Sequence, residues 1–325
     1  MAYYVGVDLG ATNVRAVVGD DDGTVLGRGR DATPQGPTGI AVTEAVLGVV
    51  REACADADVD PRAVAAAGIG SIGPLDLAEG AVEHPANLPD TVDRVPLTGP
   101  LSKLLGTDRV TLHNDTAAGV VGERFFAERT PDDMVYLTIS SGIGAGVAVD
   151  GHVLSGWDGN AGEVGHMVVD PEGRLTCGCG REGHWEGYCS GTNVPRYARY
   201  LYDDAEWETA LPISDPSLAA VDVFEAAGDD AFADHVVDRL GHWNAVGVTN
   251  VVHAYAPLVV YVGGAVALNN PGLVLDPIRE RLPDLVITNV PEVELTTLGD
   301  DAVVKGALAS AVTGGTGDRN RRGRS

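Results

Sequence analysis

A strand–glycine turn–strand pattern occurs twice in this sequence and constrains its fold more than any other feature. The first turn, Asp8–Asn13, separates the apolar runs Tyr3–Asp8 and Val14–Val18. The second turn, Ser140–Gly146, follows the strand-like run Val135–Ile139 and leads into another strand. Two half-chains that repeat one topology indicate duplication, with a cleft between the halves.

Both turns carry the groups that phosphate binding needs. Gly10 permits a tight turn, and Thr12 offers a hydroxyl and a backbone N–H to a phosphate. Asp8 can hold Mg²⁺ through water, because Mg²⁺ keeps much of its hydration. The second turn is neither a Rossmann fingerprint, since a strand follows it, nor a Walker A loop, since no Gly-Lys-Ser/Thr follows. Either turn alone reads as an ordinary hairpin, but the pair favours a polyphosphate clamp.

The segment His113-Asn114-Asp115-Thr116 lies where a predicted strand ends and a predicted helix begins. Asn114 or Asp115 would cap that helix in most proteins. Here the segment falls at the predicted hinge between the two halves, where a substrate would lie. A carboxylate at that position can accept a hydroxyl proton during phosphoryl transfer, so Asp115 is the candidate catalytic base.

Four side chains have the composition of a metal site. Two thiolates and two imidazoles suit tetrahedral zinc, and the candidate ligands are His166, Cys177, Cys179 and His184. The alternatives are inert core cysteines, or a site in which Cys189 replaces one ligand. Since this set leaves no open coordination position, the predicted zinc ion is structural.

Charge and hydropathy argue against nucleic-acid partners and against a membrane location. The formal net charge is −25 with a pI near 4.4, which argues against binding to nucleic-acid phosphates. No apolar run is long enough to cross a membrane, and the N-terminus lacks the features of a signal peptide, so we expect a cytoplasmic protein. The surplus carboxylates predict a hydrated surface suited to concentrated salt, and lower stability when salt is removed.

Several motifs resemble, in order and spacing, the ROK family (repressors, open reading frames and kinases) over nearly the whole chain. The most specific are the segments 160–166, Asn-Ala-Gly-Glu-Val-Gly-His, and 177–186, Cys-Gly-Cys-Gly-Arg-Glu-Gly-His-Trp-Glu. The resemblance implies the actin/hexokinase-like (RNase-H-like) α/β fold, with two domains around a cleft. We expect a small domain over 1–113, completed by a C-terminal helix at about 301–313, a large domain over 114–300 with the zinc motif, and a disordered tail over 314–325.

The resemblance also implies roles for single residues. Asp115 matches the catalytic base of the family. The positions that resemble sugar-binding residues are Gly73, Asn87, Asn114, Asp115, Glu163, His166 and Glu186. The nucleotide side comprises the two turns and a glycine pair that resembles the adenosine-side turn, namely Asp8, Gly10, Ala11, Thr12, Asn13, Ser141, Gly142, Gly144, Gly263 and Gly264. Carboxylates and amides supply the acceptors and donors that sugar hydroxyls need.

Two positions depart from the family pattern. The family usually has cysteine where this chain has His184, which keeps a zinc-competent ligand but leaves Cys189 as a competitor. The second turn usually has threonine where Ser141 stands. Family repressors also carry a DNA-binding segment before the first turn, and the early position of Asp8 leaves no room for one here. We therefore expect no nucleic-acid partner.

The sequence thus predicts an ATP- and Mg²⁺-dependent kinase that phosphorylates the 6-hydroxyl of glucose and carries structural Zn²⁺. Fructose, N-acetylglucosamine and N-acetylmannosamine are alternative substrates, and a non-catalytic sugar sensor is the alternative function. By family resemblance we expect a homodimer or higher homo-oligomer. Because the zinc segment contains sugar-side residues and neither turn, zinc loss is expected to weaken sugar binding more than nucleotide binding.

Overall fold

The computed structural model describes residues 2–85 and 88–319. The β-strands are β1 (Tyr3–Leu9), β2 (Asn13–Gly19), β3 (Val25–Ala32), β4 (Val64–Ser71), β5 (Leu75–Asp76), β6 (Ala81–Glu83), β7 (Arg94–Pro96), β8 (Val110–Asn114), β9 (Met134–Ile139), β10 (Ile143–Val149), β11 (His152–Val153), β12 (Val259–Gly263) and β13 (Glu292–Leu295). The α-helices are α1 (Gly39–Asp56), α2 (Thr98–Leu105), α3 (Asp115–Phe126), α4 (Glu186–Cys189), α5 (Val194–Asp203), α6 (Ala220–Ala226), α7 (Ala231–Tyr255), α8 (Ala265–Asn269), α9 (Pro271–Leu285) and α10 (Ala302–Thr313). Short 3₁₀ turns lie at Pro61–Ala63, Val164–His166 and Gly299–Asp301.

Two five-stranded sheets have equivalent strand orders, β3-β2-β1-β4-β8 and β11-β10-β9-β12-β13. In the first sheet, β1 is antiparallel to β2 and parallel to β4. In the second sheet, β12 lies between β9 and β13 and is parallel to both. A small third sheet has the order β5-β6-β7. The strand–turn–strand pattern that repeats in the sequence therefore contributes the β1–β2 and β9–β10 strands of two equivalent sheets.

The chain folds into two compact units, each assembled from separate stretches of the sequence. Unit 1 comprises the described residues of Met1–Asp132, Gly146–Gly162 and Asp300–Ser325. Unit 2 comprises Asp133–Ala145 and Glu163–Gly299. Strand β10 begins in unit 2 and ends in unit 1, because the boundary between the two units falls between Ala145 and Gly146.

Both faces of the first sheet are covered, because successive side chains of a strand point to opposite faces. Val5 and Val7 of β1 belong to the apolar cluster that includes α1, whereas Tyr4 belongs to the cluster that includes α3 and α10. Helix α10 approaches the sheet closely where glycine leaves room. A Cβ at Gly6 would lie 2.5 Å from the backbone nitrogen of Leu308. The last helix of the chain therefore packs as part of unit 1.

Helix α7, Ala231–Tyr255, is the longest helix of unit 2. The carboxylate of Asp230 caps its N-terminus by accepting hydrogen bonds from the backbone N–H groups of Phe232 and Ala233. The helix ends at Tyr255, and the C-cap residue Ala256 has a positive φ of 47°, which takes the backbone out of the helix. Within the part of the chain that the structure describes, no helix combines the length and apolarity needed to cross a bilayer.

The structure differs from expectation just after α10, where the sequence predicts a disordered tail. The carbonyl of Thr316 accepts a hydrogen bond of 2.6 Å from the buried guanidinium of Arg124. The guanidinium of Arg319 lies over the ring of Phe125, 5.4 Å from its centroid. Residues 314–319 therefore pack on α3, because buried Arg124 needs acceptors and Phe125 offers a ring face. The remainder of the predicted tail, 320–325, lies outside the described residues.

Candidate functional site

The first glycine turn joins β1 to β2 in unit 1. The backbone N–H of Gly10 donates to the carbonyl of Asn13, and the hydroxyl of Thr33 donates to the carbonyl of Gly10 at 2.7 Å. The backbone N–H of Thr33 also donates to the carbonyl of Thr12, whose side chain is exposed. Hydrogen bonds from Thr33 therefore hold the backbone of the turn, while the side chain of Thr12 stays exposed.

The carboxylate of Asp8, at the start of this turn, forms an ion pair with Arg15. Both Nε and Nη2 of Arg15 donate to Oδ2 of Asp8, and Nη2 also donates to the carbonyl of Asp300 at 2.9 Å. Burial raises the pKa of Asp8, and the Arg15 guanidinium opposes that shift without cancelling it. Arg15 thus connects the turn to the segment that precedes α10.

A second group of predicted residues meets in unit 1 where β8 runs into α3. Asn114 is the N-cap of α3, and its Oδ1 accepts hydrogen bonds from the backbone N–H and the hydroxyl of Thr116. Asp115 is the first helical residue, and its carboxylate is partly exposed. A Cβ at Gly73 would lie 3.4 Å from Nδ2 of Asn114, so this loop runs beside the cap. Asn87 lies outside the described residues.

The second glycine turn joins β9 to β10. The backbone N–H of Ser140 donates to the carbonyl of Gly142, and the carbonyl of Ser140 accepts a hydrogen bond of 2.7 Å from Gly191. The side chain of Ser141 is exposed. Ile143 is the first residue of β10, and its backbone N–H donates to Oε2 of Glu186 at 2.9 Å. Gly144 follows it within the strand.

The glycine pair after β12 lies beside this turn within unit 2. Gly263 pairs with Thr138 in the parallel β12–β9 ladder, and Thr138 precedes the turn by two residues. Gly264 has a φ of 88°, and a Cβ there would lie 2.6 Å from the carbonyl oxygen of Ile139. Glycine is therefore required for the close approach that brings the predicted adenosine-side turn next to the second glycine turn.

The predicted metal ligands form a cluster, called here the Cys/His cluster. One side-chain ligand atom from each of its four residues lies within 4.8 Å of the others, and the four are His166, Cys177, Cys179 and His184. Burial is the main cause that raises the pKa of the Cys177 thiol, to about 11, so its thiolate requires a cationic partner.

Cys189, the competing ligand, lies elsewhere. Its Sγ is buried on α4 and is 3.6 Å from the carbonyl oxygen of Leu240 on α7. The structure therefore places His184 in the cluster and leaves Cys189 in the packed core of unit 2.

Two predicted sugar-side carboxylates flank the cluster. Glu163 Oε2 lies 3.7 Å from Nε2 of His166. Burial raises the pKa of Glu163, His166 opposes the shift, and the negative charge of Glu186 adds to it. Oε1 of Glu186 lies 3.6 Å from the Sγ of Cys177. Unit 2 therefore brings Glu163, His166 and Glu186 into one electrostatically coupled group.

The loop that carries the two cysteines is organised around a buried carboxylate. Asp170 accepts hydrogen bonds from the hydroxyl of Tyr188 at 2.7 Å, from the guanidinium of Arg174 at 2.8 Å and from two backbone N–H groups. Burial alone would raise the pKa of Asp170, but these hydrogen bonds outweigh it and hold the pKa below its usual value. The loop geometry thus depends on a residue outside the cluster.

The comparison with protein families decides the classification, since a model of the ROK family matches residues 4–313. This chain belongs to the ROK family. It is 37% identical over 311 residues to a glucokinase of Pyrobaculum calidifontis, with 96% of this chain and 95% of the relative covered. It is 33% identical over 313 residues to a glucokinase of Thermotoga maritima, with 94% of this chain and 96% of that protein covered.

Solved ROK structures agree with this classification. A ROK hexokinase from Thermus thermophilus superimposes with a TM-score of 0.79 at 32% identity, covering 95% of this chain and 97% of that protein. A ROK glucokinase from Streptomyces griseus in complex with glucose and AMPPNP gives a TM-score of 0.77 at 31% identity, covering 95% and 99%. The predicted family and the predicted α/β fold of the actin/hexokinase-like ROK sugar kinases are confirmed.

Sequence reasoning assigned no role to three residues in or near these ROK motifs. Arg15 stands opposite Asp8 in the β1–β2 register, so opposite charges on a predicted hairpin were an available signal. Oδ1 of Asn160 accepts a hydrogen bond from the N–H of Leu75, across 85 positions of the chain, beside the Gly73 loop. Asp170 is buried by tertiary packing. For Asn160 and Asp170, no local pattern predicts the partner.

Proposed function

We propose that this chain is an ATP-dependent glucokinase that transfers the γ-phosphoryl group of ATP to the 6-hydroxyl of glucose. The observation that carries the proposal is similarity over almost the whole chain to relatives named glucokinase, the first at 37% identity. A ROK glucokinase solved with glucose and AMPPNP, 31% identical, supports sugar and ATP as the substrates. These findings confirm the glucose kinase predicted from the sequence.

Asp115 is the proposed general base. Its carboxylate stands at the first position of α3, with Oδ1 2.7 Å from the backbone nitrogen of Thr116, which fixes the side chain at the helix terminus. In phosphoryl transfer such a carboxylate orients the attacking hydroxyl and accepts its proton. Asn114, engaged as the helix cap beside it, is a proposed sugar contact, as is the Gly73 loop.

The remaining sugar contacts are proposed in unit 2. Hydrogen-bond acceptors for the sugar hydroxyls would come from the carboxylates of Glu163 and Glu186. The imidazole of His166 would offer a donor. Asn87 is proposed for the same role on sequence grounds alone.

The nucleotide is proposed to engage both glycine turns and the glycine pair. The exposed hydroxyls of Thr12 and Ser141 and the backbone N–H groups of their turns suit phosphate oxygens. A Mg²⁺ ion bound with the nucleotide would supply positive charge to its phosphates. Asp8 would hold that ion through water, with Arg15 fixing its carboxylate. Gly263 and Gly264 would lie against the adenosine.

The Cys/His cluster is proposed to bind one Zn²⁺ ion. Two sulfur and two nitrogen ligands that approach one another within 4.8 Å fit a tetrahedral site, and the buried Cys177 thiolate would gain its cationic partner. Four protein ligands complete that coordination, so the ion would fix the loop and take no part in the reaction. A cytoplasmic homo-oligomer remains our proposal for the state of the protein.

A second substrate class has a specific observation in its favour. An N-acetylmannosamine kinase of Yersinia pseudotuberculosis is 32% identical over 267 residues, with 81% of this chain and 83% of the relative covered.

A coupled assay in molar KCl, with glucose, fructose, N-acetylglucosamine and N-acetylmannosamine and with several phosphoryl donors, separates the candidates. The highest kcat/KM is expected with glucose and ATP. A higher kcat/KM with an N-acylated sugar would make that sugar the substrate in place of glucose. Sugar binding without turnover would support the alternative function, a non-catalytic sugar sensor.

The proposed base is tested by Asp115→Asn. We expect kcat to fall by about 10²–10⁴-fold, as for loss of a general base, while calorimetry still detects sugar binding. The matched control is Asp204→Asn, which removes an exposed carboxylate after α5 and should leave kcat unchanged. A kcat for Asp115→Asn within a few-fold of wild type would exclude this residue as the base.

A further inference from the structure

The second glycine turn contains a backbone N–H that must find an acceptor inside unit 2. Ile143 begins β10 and is buried, and a buried N–H without a partner is costly. Its acceptor is Oε2 of Glu186, 2.9 Å away and 43 positions further along the chain. A hydrogen bond to an ionised carboxylate is stronger than one between neutral groups. Glu186 therefore fixes the turn at its β10 end.

The other end of the turn is attached to the same segment. The N–H of Gly191, two residues after α4, donates to the carbonyl of Ser140 at 2.7 Å. Between these anchors, a Cβ at Gly142 would lie 2.8 Å from Oε2 of Glu186, so a methyl group there would displace the carboxylate. The segment from Glu186 to Gly191 thus holds the turn at both ends.

Glu186 is itself held firmly. Its Oε1 lies 3.6 Å from the Sγ of Cys177, a member of the Cys/His cluster. The preceding residue, Trp185, is fully buried and donates a hydrogen bond of 2.9 Å from its indole N–H to Asn244 on α7. One carboxylate therefore bridges the Cys/His cluster and the turn.

We propose that Glu186 is a positioning residue for nucleotide binding, acting through the N–H of Ile143, in addition to its role toward the sugar. This inference rests on the proposed function of the second turn as a phosphate-binding turn. The positioning role of Glu186 can be separated from its proposed sugar contact, because the hydrogen bond that positions the turn does not require sugar. Loss of the carboxylate should weaken nucleotide binding even when no sugar is present.

The test is calorimetric titration of AMPPNP with Mg²⁺, without sugar, into the full-length protein. Glu186→Ala is expected to bind AMPPNP about tenfold more weakly, the effect of one lost hydrogen bond of this kind. Glu186→Gln keeps an acceptor oxygen and should stay within about threefold of wild type. Glu182→Ala, which removes an exposed carboxylate from the loop before α4, is the matched control and should not change the affinity.

A double-mutant cycle with Gly142→Ala guards against a general loss of structure. The added methyl group displaces the carboxylate, so it should weaken AMPPNP binding in wild type but add little in Glu186→Ala. An equal effect in both backgrounds would mean that the methyl group meets the nucleotide directly, and would count against the inference. Melting curves and metal content establish that each variant is folded.

Two results separate this inference from the proposed function. If wild type binds AMPPNP and Glu186→Ala binds it within about twofold, the positioning role is wrong while the kinase stands. If wild type phosphorylates no sugar in the coupled assay, the proposed function fails and the inference fails with it.

Discussion

The first glycine turn is supported by an ion pair, whereas the second is supported by a carboxylate that also reaches the Cys/His cluster. In unit 1, Arg15 holds Asp8 and donates to the carbonyl of Asp300, far along the chain. In unit 2, Glu186 accepts from the N–H of Ile143. Turns that look alike in the sequence are therefore made rigid by unrelated chemistry.

Because of this difference, the two turns should be destabilised by different changes in conditions. An ion pair whose guanidinium is partly exposed depends on charge and weakens in salt. If the Cys/His cluster binds zinc as proposed, the turn attached to it depends on that ion and on the loop that carries its ligands. Each perturbation should disturb one turn and spare the other, which local hydrogen exchange can measure.

The largest effect is expected from loss of the metal. Purified wild type should contain about one zinc per chain by elemental analysis, and Cys177→Ser or a chelator should remove it. Because Glu186 lies against Cys177, backbone amides of 140–146 should then lose about tenfold or more of their protection, while those of 8–13 change little. The hydrogen bond from Ile143 thus revises the expectation that zinc loss weakens sugar binding more than nucleotide binding, since both should weaken.

Cys189→Ser is the control for metal loss, because Cys189 lies outside the Cys/His cluster and this variant should keep its zinc. If Cys189→Ser lost the metal and His184→Ala kept it, the fourth ligand would be Cys189. Equal deprotection of both turns in Cys177→Ser would show that the metal stabilises the whole chain, and the two supports would not be independent.

An intermediate effect is expected from Arg15→Ala. Removing one partner of a fully buried pair costs about 3–5 kcal/mol, and the partial exposure of Arg15 reduces this to about 2 kcal/mol. Amides of 8–13 should lose protection, those of 140–146 should not, and the KM for ATP should rise. Urea unfolding and hydrogen exchange measure these changes.

Arg28→Ala is the matched control for Arg15→Ala. Arg28 forms an ion pair with Asp301 at 3.0 Å, but its side chain is 54% exposed, so its loss should cost less than about 0.5 kcal/mol. If the two variants lose equal stability, the Arg15–Asp8 ion pair contributes no more than an exposed pair. The first turn would then not be supported mainly by that ion pair.

The sequence was sufficient where a feature is local or matches a family motif. The strand–turn–strand repeats and the Cys/His ligands within 166–184 are close in the chain, and their patterns predict chemistry directly. The choice between His184 and Cys189 needed the packing of α4 on α7, which turns the Cys189 thiol toward Leu240. Contacts across many residues, such as Ile143 with Glu186, depend on how elements pack, and no local pattern encodes them.

The smallest effect concerns His113, which connects β8 to α10 within unit 1. Its Nε2 lies 2.8 Å from the Oγ of Ser310, and burial lowers its pKa to about 4. In the unfolded chain a histidine titrates near pH 6.5, so between about pH 6.5 and 4 the unfolded state binds a proton that the folded state does not. Stability from this group is therefore complete above this window and falls as the pH decreases, by about 1 kcal/mol at pH 5.5.

The variant His113→Gln tests this pH dependence, since an amide can still bond to Ser310 but does not titrate. Acid would also weaken metal binding at the proposed zinc site of unit 2, so the measurement must be local. It is hydrogen exchange of 110–114 and 302–313 at pH 7 and 5.5, corrected for intrinsic rates. Wild type should lose protection there at pH 5.5, His113→Gln should lose less, and His152→Gln, at an exposed position, should match wild type. If His113→Gln loses as much protection as wild type, proton uptake by other groups controls the acid response of unit 1.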